Sequence, residues 1–426
     1  MNPQQSTAVL RGSKKTKSWG MLLALIGPGL MVMLADTDAG SVITAAQSGA
    51  EYKYLLVLPE LLLIPILYLV QEMTARLGIS TQRGHGALIL QTFGKKWAVL
   101  SAGTLFIACI GALITEFAGV AGVGALVGFP SWLSIGAASL ALIVLVLLGR
   151  YRRVEHVGIA VGALELLFIP AAFLAHPHLT QIAHSFVHPI NTSSGYLLLL
   201  AANVGAVIMP WMIFYQQEAV IDKGRRGLDL KDALRSARLD TGFGAVLTQV
   251  VMLVVVIATA ATLGTQHEGR ALNNVGEIAN AMTPFLGHRA ATIFFGLGLL
   301  GASVVAALVV TLAGAWGISE VFGWRHSLND LPSKAKGFYG LAIVGVLAGA
   351  LLVITSPNII NLSVDVEVLN ACILPIVLGF LLALERKALP PEHQMHGLRK
   401  YVTYLMVGIC IVFGLITVVA TVKGLF

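Results

Sequence analysis

Asp36-Thr37-Asp38-Ala39-Gly40-Ser41 interrupts an otherwise apolar run from about Met21 to Ala50. A second interruption, Met209-Pro210 followed by Gln216, Gln217 and Glu218, falls inside the run from about Gly195 to Ile221. Both put polar, helix-weakening residues where an unbroken apolar helix would be expected. Two broken membrane helices in corresponding halves of one chain point to the binding site of a secondary transporter. Each break frees backbone carbonyls, and a carboxylate at the same depth completes a site suited to a cation.

Composition agrees with a membrane setting. Hydrophobic residues make up 57% of the 426 and charged residues 12%, whereas soluble chains carry roughly 25% charged residues. Mean hydropathy is +0.83. Stretch after stretch of about 18 or more residues is nearly free of charge, which excludes a soluble enzyme and predicts a polytopic membrane protein. Met1–Gly20 is polar and basic and runs straight into a long first span, so no cleavable signal peptide is expected. Cys109, Cys372 and Cys410 lie in apolar segments without motif spacing and read as packing residues, with no disulfide framework or zinc site.

Hydropathy and charged or Pro/Gly breaks predict eleven spans: 20–49, 54–76, 97–128, 132–149, 156–176, 195–221, 238–264, 289–322, 338–355, 358–384 and 401–423. The N-terminal tail and alternate loops hold 24 of the 28 Lys and Arg residues; the other side has Lys53, Arg270, Arg289 and Lys423. The positive-inside rule then places the N-terminus in the cytoplasm and the C-terminus outside, as an odd number of spans requires. Basic runs such as Lys223–Arg238 are read as topology determinants in contact with the lipid bilayer, and not as a nucleic-acid surface.

Spans one to five overlie spans six to ten with opposite orientation, each set opening on a broken helix about 170 residues from the other. The predicted fold class is therefore an all-α polytopic membrane protein, a 5+5 inverted repeat of the leucine-transporter type with an eleventh helix appended. The expected organisation is a cytoplasmic tail over 1–19, a first repeat over 20–190, a second over 191–385, and a loop and last span over 386–426.

Asp36 and Asp38 are intramembrane carboxylates, each costing several kcal/mol unless paired, so a functional role is the first reading. The bland alternative is that one of them caps the second half-helix with help from Ser41. Pro210 has no N–H to donate, which leaves a carbonyl near Ala206 free. Met209 offers a soft thioether that favours transition metals, or it simply fills a gap. Gln216, Gln217 and Glu218 either line a polar path or sit at a helix end. Glu116, Asp365, Glu367 and Asn370 are polar groups inside apolar spans. Glu72, Glu165 and Glu320 are expected to pair with local Arg or cap backbone. His176, His178, His184 and His188 crowd one external loop, without the helical i, i+4 spacing of a metal site.

Taken together, these residues resemble the NRAMP family of divalent-metal transporters over essentially the whole chain. Asp38-Ala39-Gly40-Ser41, following Gly27-Pro28-Gly29, falls where that family has Asp-Pro-Gly-Asn. Gly205-Ala206-Val207-Ile208-Met209-Pro210-Trp211 falls on its Met-Pro-His region. Leu77-Gly78-Ile79-Ser80-Thr81 and Thr311-Leu312-Ala313-Gly314 with Glu320 match two further segments. The resemblance implies that Asp38, the Ala206 carbonyl and Met209 are metal ligands, with Ser41 at the Asn position and Glu367 where the family usually has a Gln. Glu116 keeps one acidic position of the third span, Gly119 replaces the second acid, and Trp211 replaces the family His. Neither Trp nor Gly carries protons, which implies transport weakly or not coupled to protons, as in NRAMP-related magnesium transporters. Asp36, Glu116, Trp211 and Gln217 are the candidate coupling or pathway residues.

The function this implies is import of Mn²⁺/Fe²⁺ or Mg²⁺ by alternating access, with the metal as substrate, no cofactor and no enzymatic activity. The expected location is a bacterial inner membrane. The competing reading is a transporter of a monovalent or organic cation, held by Asp38 against an aromatic wall of Trp211 and Tyr215. No helix-borne His/Glu cluster of the metalloprotease type is present.

Overall fold

The computed structural model describes residues 27–170, 177–187, 191–224, 228–266, 271–272, 274–281, 288–355 and 359–424, and these are almost entirely helical, with no strand among them. The first half comprises α1 (Pro28–Asp36), α2 (Ala39–Tyr52), α3 (Val57–Thr81), α4 (His85–Phe93), α5 (Lys95–Leu126), α6 (Ser131–Leu148) and α7 (Tyr151–Gly162). After the short α8 (Leu179–Ser185) come α9 (Ser194–Val207), α10 (Pro210–Lys223) and α11 (Leu230–Gln266). The remainder is α12 (Val275–Ala281), α13 (His288–Phe322), α14 (Lys336–Ile354), α15 (Ile359–Lys387) and α16 (Gly397–Val422).

Nine stretches among the described residues are long and apolar enough to cross a membrane. The difference from eleven has a local cause. α2 and α3 run on through a 3₁₀ turn as one stretch, Ala39–Thr81. The fifth expected span is a short α7 continuing into a 3₁₀ segment, Ala163–Leu167, and its end at 171–176 lies outside the described residues. Residues 1–26, His176 and His188 lie outside them as well, while His178 and His184 are exposed. The basic stretch around Lys231, Arg235 and Arg238 is helical, because α11 begins eight residues before the expected span.

The two broken helices occupy the centre. α1 packs on α11 and α13, α2 on α11 and α15, α9 on α15 and α2, and α10 on α3 and α13. Every residue from Ala39 to Ala50 is buried, so both faces of α2 are enclosed by protein. Outside this centre, one face of the outer helices carries exposed apolar side chains. Leu405, Ile409, Val412, Ile416 and Val419 on α16, and Val344, Leu347 and Leu351 on α14, are exposed, as suits a hydrocarbon solvent.

Glycines allow the close crossings. A Cβ on Gly205 of α9 would collide with the Glu367 carbonyl of α15, and one on Gly49 of α2 with the Val256 carbonyl of α11. Backbones brought this near one another gain packing contacts that side chains would otherwise prevent.

Candidate functional site at the two helix breaks

The first break is short. α1 ends at Asp36, Thr37 leaves helical geometry, and Asp38 opens α2 in an extended conformation. Asp38 is the N-cap, its Oδ1 accepting the Ser41 N–H at 2.6 Å. This is the capping role, and it leaves Oδ2 buried without a hydrogen-bond partner. Cap and ligand are therefore compatible, one oxygen serving each. The far end of α1 is fixed by Asp240 of α11, whose two oxygens accept the Gly29 and Leu30 N–H groups at 2.8 Å each. A carboxylate at the positive end of a helix is favourable there. A Cβ on Gly27 or Gly29 would run into it, which explains the Gly27-Pro28-Gly29 pattern.

In the second break α9 ends at Val207 and α10 starts at Pro210, with Met209 extended between them and fully buried. The Ala206 carbonyl would bond to the N–H of residue 210 in an unbroken helix, and proline has none. Ser41 takes that place, its Oγ donating to the Ala206 carbonyl at 3.2 Å. The two breaks thus touch through residues 165 positions apart.

Two further carboxylates close on this point. Glu116 of α5 accepts the Ala39 N–H through Oε2 at 3.2 Å, and Thr115 Oγ donates to its other oxygen at 3.2 Å. Glu367 of α15 lies against Gly40, where a Cβ would collide with Oε1; its Oε2 accepts the Asn370 amide at 3.0 Å and Oε1 is unpartnered. Both lie near enough to Asp38 for their charges to interact. Asp365, two residues from Glu367, is exposed. Asp36, Asp38, Glu116 and Glu367 are all buried, and among the described residues no Lys, Arg or His forms an ion pair with them. Negative charge concentrated in this way is stable only with a compensating cation or protons.

The departures from the family pattern have steric content. Gly119 faces Ala39 and Ser303 so tightly that even a Cβ would collide, and a second acid has no room there. Trp211 is fully buried with its indole N–H unpartnered. Tyr215 is engaged elsewhere, its hydroxyl donating to Met31 Sδ at 2.9 Å and its ring packed on Trp316 at 5.5 Å. Tyr215 is thus held by Met31 and Trp316 as well as by its own helix.

Gln217 is buried away from the breaks. Its amide donates to the Arg83 carbonyl at 2.8 Å, and its oxygen meets His85 Nδ1 at 2.9 Å, tying α10 to the start of α4. Glu72 is ringed by Arg76, Arg238 and Arg399. Glu165 departs from the expected pairing with local Arg or cap: both its oxygens are buried without a hydrogen-bond partner. Glu60, at the start of α3, shares that state and went unnoticed in the sequence, because it sits beside a span end where a carboxylate is unremarkable. Asp240 was missed as well, since its partners are backbone groups more than 200 residues away.

A family model described as Nramp, natural resistance-associated macrophage protein-like, matches residues 29–420. The divalent metal cation transporter MntH of Levilactobacillus brevis is 29% identical over 317 residues, spanning 70% of this chain and 67% of its own. MntH of Bradyrhizobium diazoefficiens is 27% identical over 346 residues, spanning 77% and 74%. A mutant of the Eremococcus coleocola manganese transporter superposes with a TM-score of 0.77 at 21% identity, over 98% of this chain and 91% of that one. MhsT in complex with L-phenylalanine superposes with a TM-score of 0.58 at 16% identity, over 93% and 98%. At these identities the structural likeness shows the fold, an all-α multi-pass membrane architecture of the leucine-transporter type with helices one and six broken. The match along nearly the full sequence makes this chain a member of the Nramp family.

Proposed function

We propose that this protein moves divalent metal cations across the membrane, with Asp38, the Ala206 carbonyl and Met209 as ligands and Ser41 and Glu367 beside them. The observation that carries the reading is the convergence of Asp38, Glu116 and Glu367 on the carbonyl freed by Pro210, buried and without a basic partner among the described residues. A divalent ion supplies the missing charge, and carboxylate, carbonyl and thioether together span the preferences of Mg²⁺ and of Mn²⁺ or Fe²⁺. The names of the bacterial relatives, divalent metal cation transporter, agree with this substrate class.

The two central helix breaks support a reading of transport by alternating access. The repeats, 20–190 and 191–385, would rock about the fixed site, and the two half-helix junctions would tilt with them. The Lys- and Arg-rich loops support an N-terminus in the cytoplasm, a C-terminus outside and a bacterial inner membrane as the location. Coupling to protons is weak or absent, because Trp211 and Gly119 do not titrate.

Reconstitution in liposomes loaded with a metal-quenched dye tests the proposal. External Mn²⁺ is expected to quench the dye in protein-containing vesicles and not in empty ones, with Mg²⁺ competing. Vesicles in which no divalent ion moves, or in which only organic cations compete for binding, would overturn it.

A further inference from the structure

A second group of metal-ligating side chains lies far along α10 from the breaks. Glu218 of α10, Glu320 near the end of α13 and His326 of the following loop each offer a ligand atom, all within 4.8 Å of one another. From this we infer a second divalent-metal site, separate from the central one, formed by Glu218, Glu320 and His326 where α10, α13 and the start of α4 meet.

Several features prepare these residues. Glu218 is 5% exposed and its Oε2 is buried without a hydrogen-bond partner. Glu320 spends Oε2 on the Ala87 N–H at 3.1 Å, which leaves Oε1 beside Glu218. The His326 ring has its Nδ1 2.7 Å from the Trp324 carbonyl and turns Nε2 to within 3.3 Å of Glu218 Oε1. An imidazole whose second nitrogen donates to a carbonyl is the usual arrangement of a metal-bound His, since it fixes both tautomer and ring orientation. Asp222 is close by but occupied, accepting from Ser327 Oγ at 2.7 Å and the Leu328 N–H at 3.2 Å, so it anchors the loop that carries His326. Gly84 completes the cradle, because a Cβ there would overlap both carboxylates.

Two carboxylates in contact, one half-buried imidazole and no Lys or Arg ion pair to either acid among the described residues leave the group short of positive charge. Two oxygens and one imidazole nitrogen, completed by water, suit first-row transition ions such as Mn²⁺, Fe²⁺, Co²⁺ or Zn²⁺ better than Mg²⁺, which prefers oxygen alone. The surrounding segments carry Arg83, Lys223 and Arg325, so on the charge rule this is the cytoplasmic mouth.

The test reads metal binding and not transport, which keeps it apart from the fate of the central site. Purified full-length protein is titrated with Co²⁺, followed by visible absorption and calorimetry, as wild type and as Asp38→Ala, Asp38→Asn, His326→Ala and Glu218→Gln. Wild type is expected to bind two ions and both Asp38 variants one. His326→Ala or Glu218→Gln, in wild type and in either Asp38 background, is expected to weaken the second site at least tenfold, and Mg²⁺ in hundredfold excess should not displace Co²⁺ from it. Wild-type stoichiometry of one, lost completely in the Asp38 variants, would overturn the inference. So would a second ion whose affinity is unchanged by both His326→Ala and Glu218→Gln. Glu218→Gln preserves size and shape, so its size-exclusion profile separates lost ligation from lost folding.

Discussion

The two helix breaks occupy equivalent places in the fold and solve the same backbone problem with different chemistry. At the first, Asp38 caps α2 and brings a full negative charge. At the second, α10 starts on Pro210 with no side-chain cap, and what it contributes is neutral: the Ala206 carbonyl and the Met209 side chain. Charge enters from one break and softer donors from the other, with Ser41 as the hydrogen-bonded contact between them. On the proposed function, the first break would govern whether a cation binds and the second which cation.

If that division is right, Asp38→Ala abolishes divalent-cation uptake in liposomes while leaving expression and elution profile intact. Uptake within a few-fold of wild type would show that Glu116 and Glu367 supply the charge without it. Met209→Ala acts on choice: Cd²⁺ and Mn²⁺ binding is expected to weaken about tenfold, roughly 1.4 kcal/mol, with Mg²⁺ little altered. An equal loss for all three ions, read by calorimetry, would return Met209 to a packing role.

Ser41→Ala removes the bridge between the breaks. A hydrogen bond of this kind contributes about 0.5–1.5 kcal/mol, so a roughly 2–10-fold loss of Mn²⁺ affinity is expected. No loss at all would mean that the two breaks act independently. Proton movement is a further check, since Gly119 leaves no space for the second acid. A pH-sensitive dye inside potential-clamped vesicles should stay flat during Mn²⁺ entry, and acidification that vanishes in Glu116→Gln would contradict this.

The smallest expected effect lies at the mouth. Burial works against a charged His326, but its hydrogen bonds to Glu218 and to the Trp324 carbonyl, with the nearby charges of Glu218 and Asp222, hold its pKa above the ordinary 6.5. A pKa raised by folding means stability fully present below about pH 6.5 and lost as pH rises through the folded value. Because the ring is partly exposed, the effect is under about 1 kcal/mol. In metal-free buffer, the melting-temperature gap between wild type and His326→Gln should narrow from pH 6 to pH 9; a constant gap would exclude the pair as its source.

Much of this was legible in the chain itself. Apolar runs set most of the membrane-spanning helices and their order, because each peptide group in hydrocarbon must bond within its own helix. Asp36–Ser41 and Met209-Pro210 showed where those bonds fail, and the missing N–H of Pro210 named the carbonyl that Ser41 in fact contacts. Other features needed the folded chain. Asp240 capping α1 is invisible locally, since its partners are backbone groups of another helix. Glu165 and Glu60 looked like ordinary span-end acids and proved buried without hydrogen-bond partners.

The sequence by itself determined the membrane class, the positions of both breaks and the residue types beside them, because hydropathy and proline geometry act over a few neighbouring residues. Only the tertiary structure decided that Glu116 and Glu367 close on Asp38, that Gly119 has no room for an acid, and that Gln217 serves a helix junction. It alone brought Glu218, Glu320 and His326 together. These are outcomes of packing between helices distant in sequence, where the space left by one side chain is set by another that no local pattern specifies.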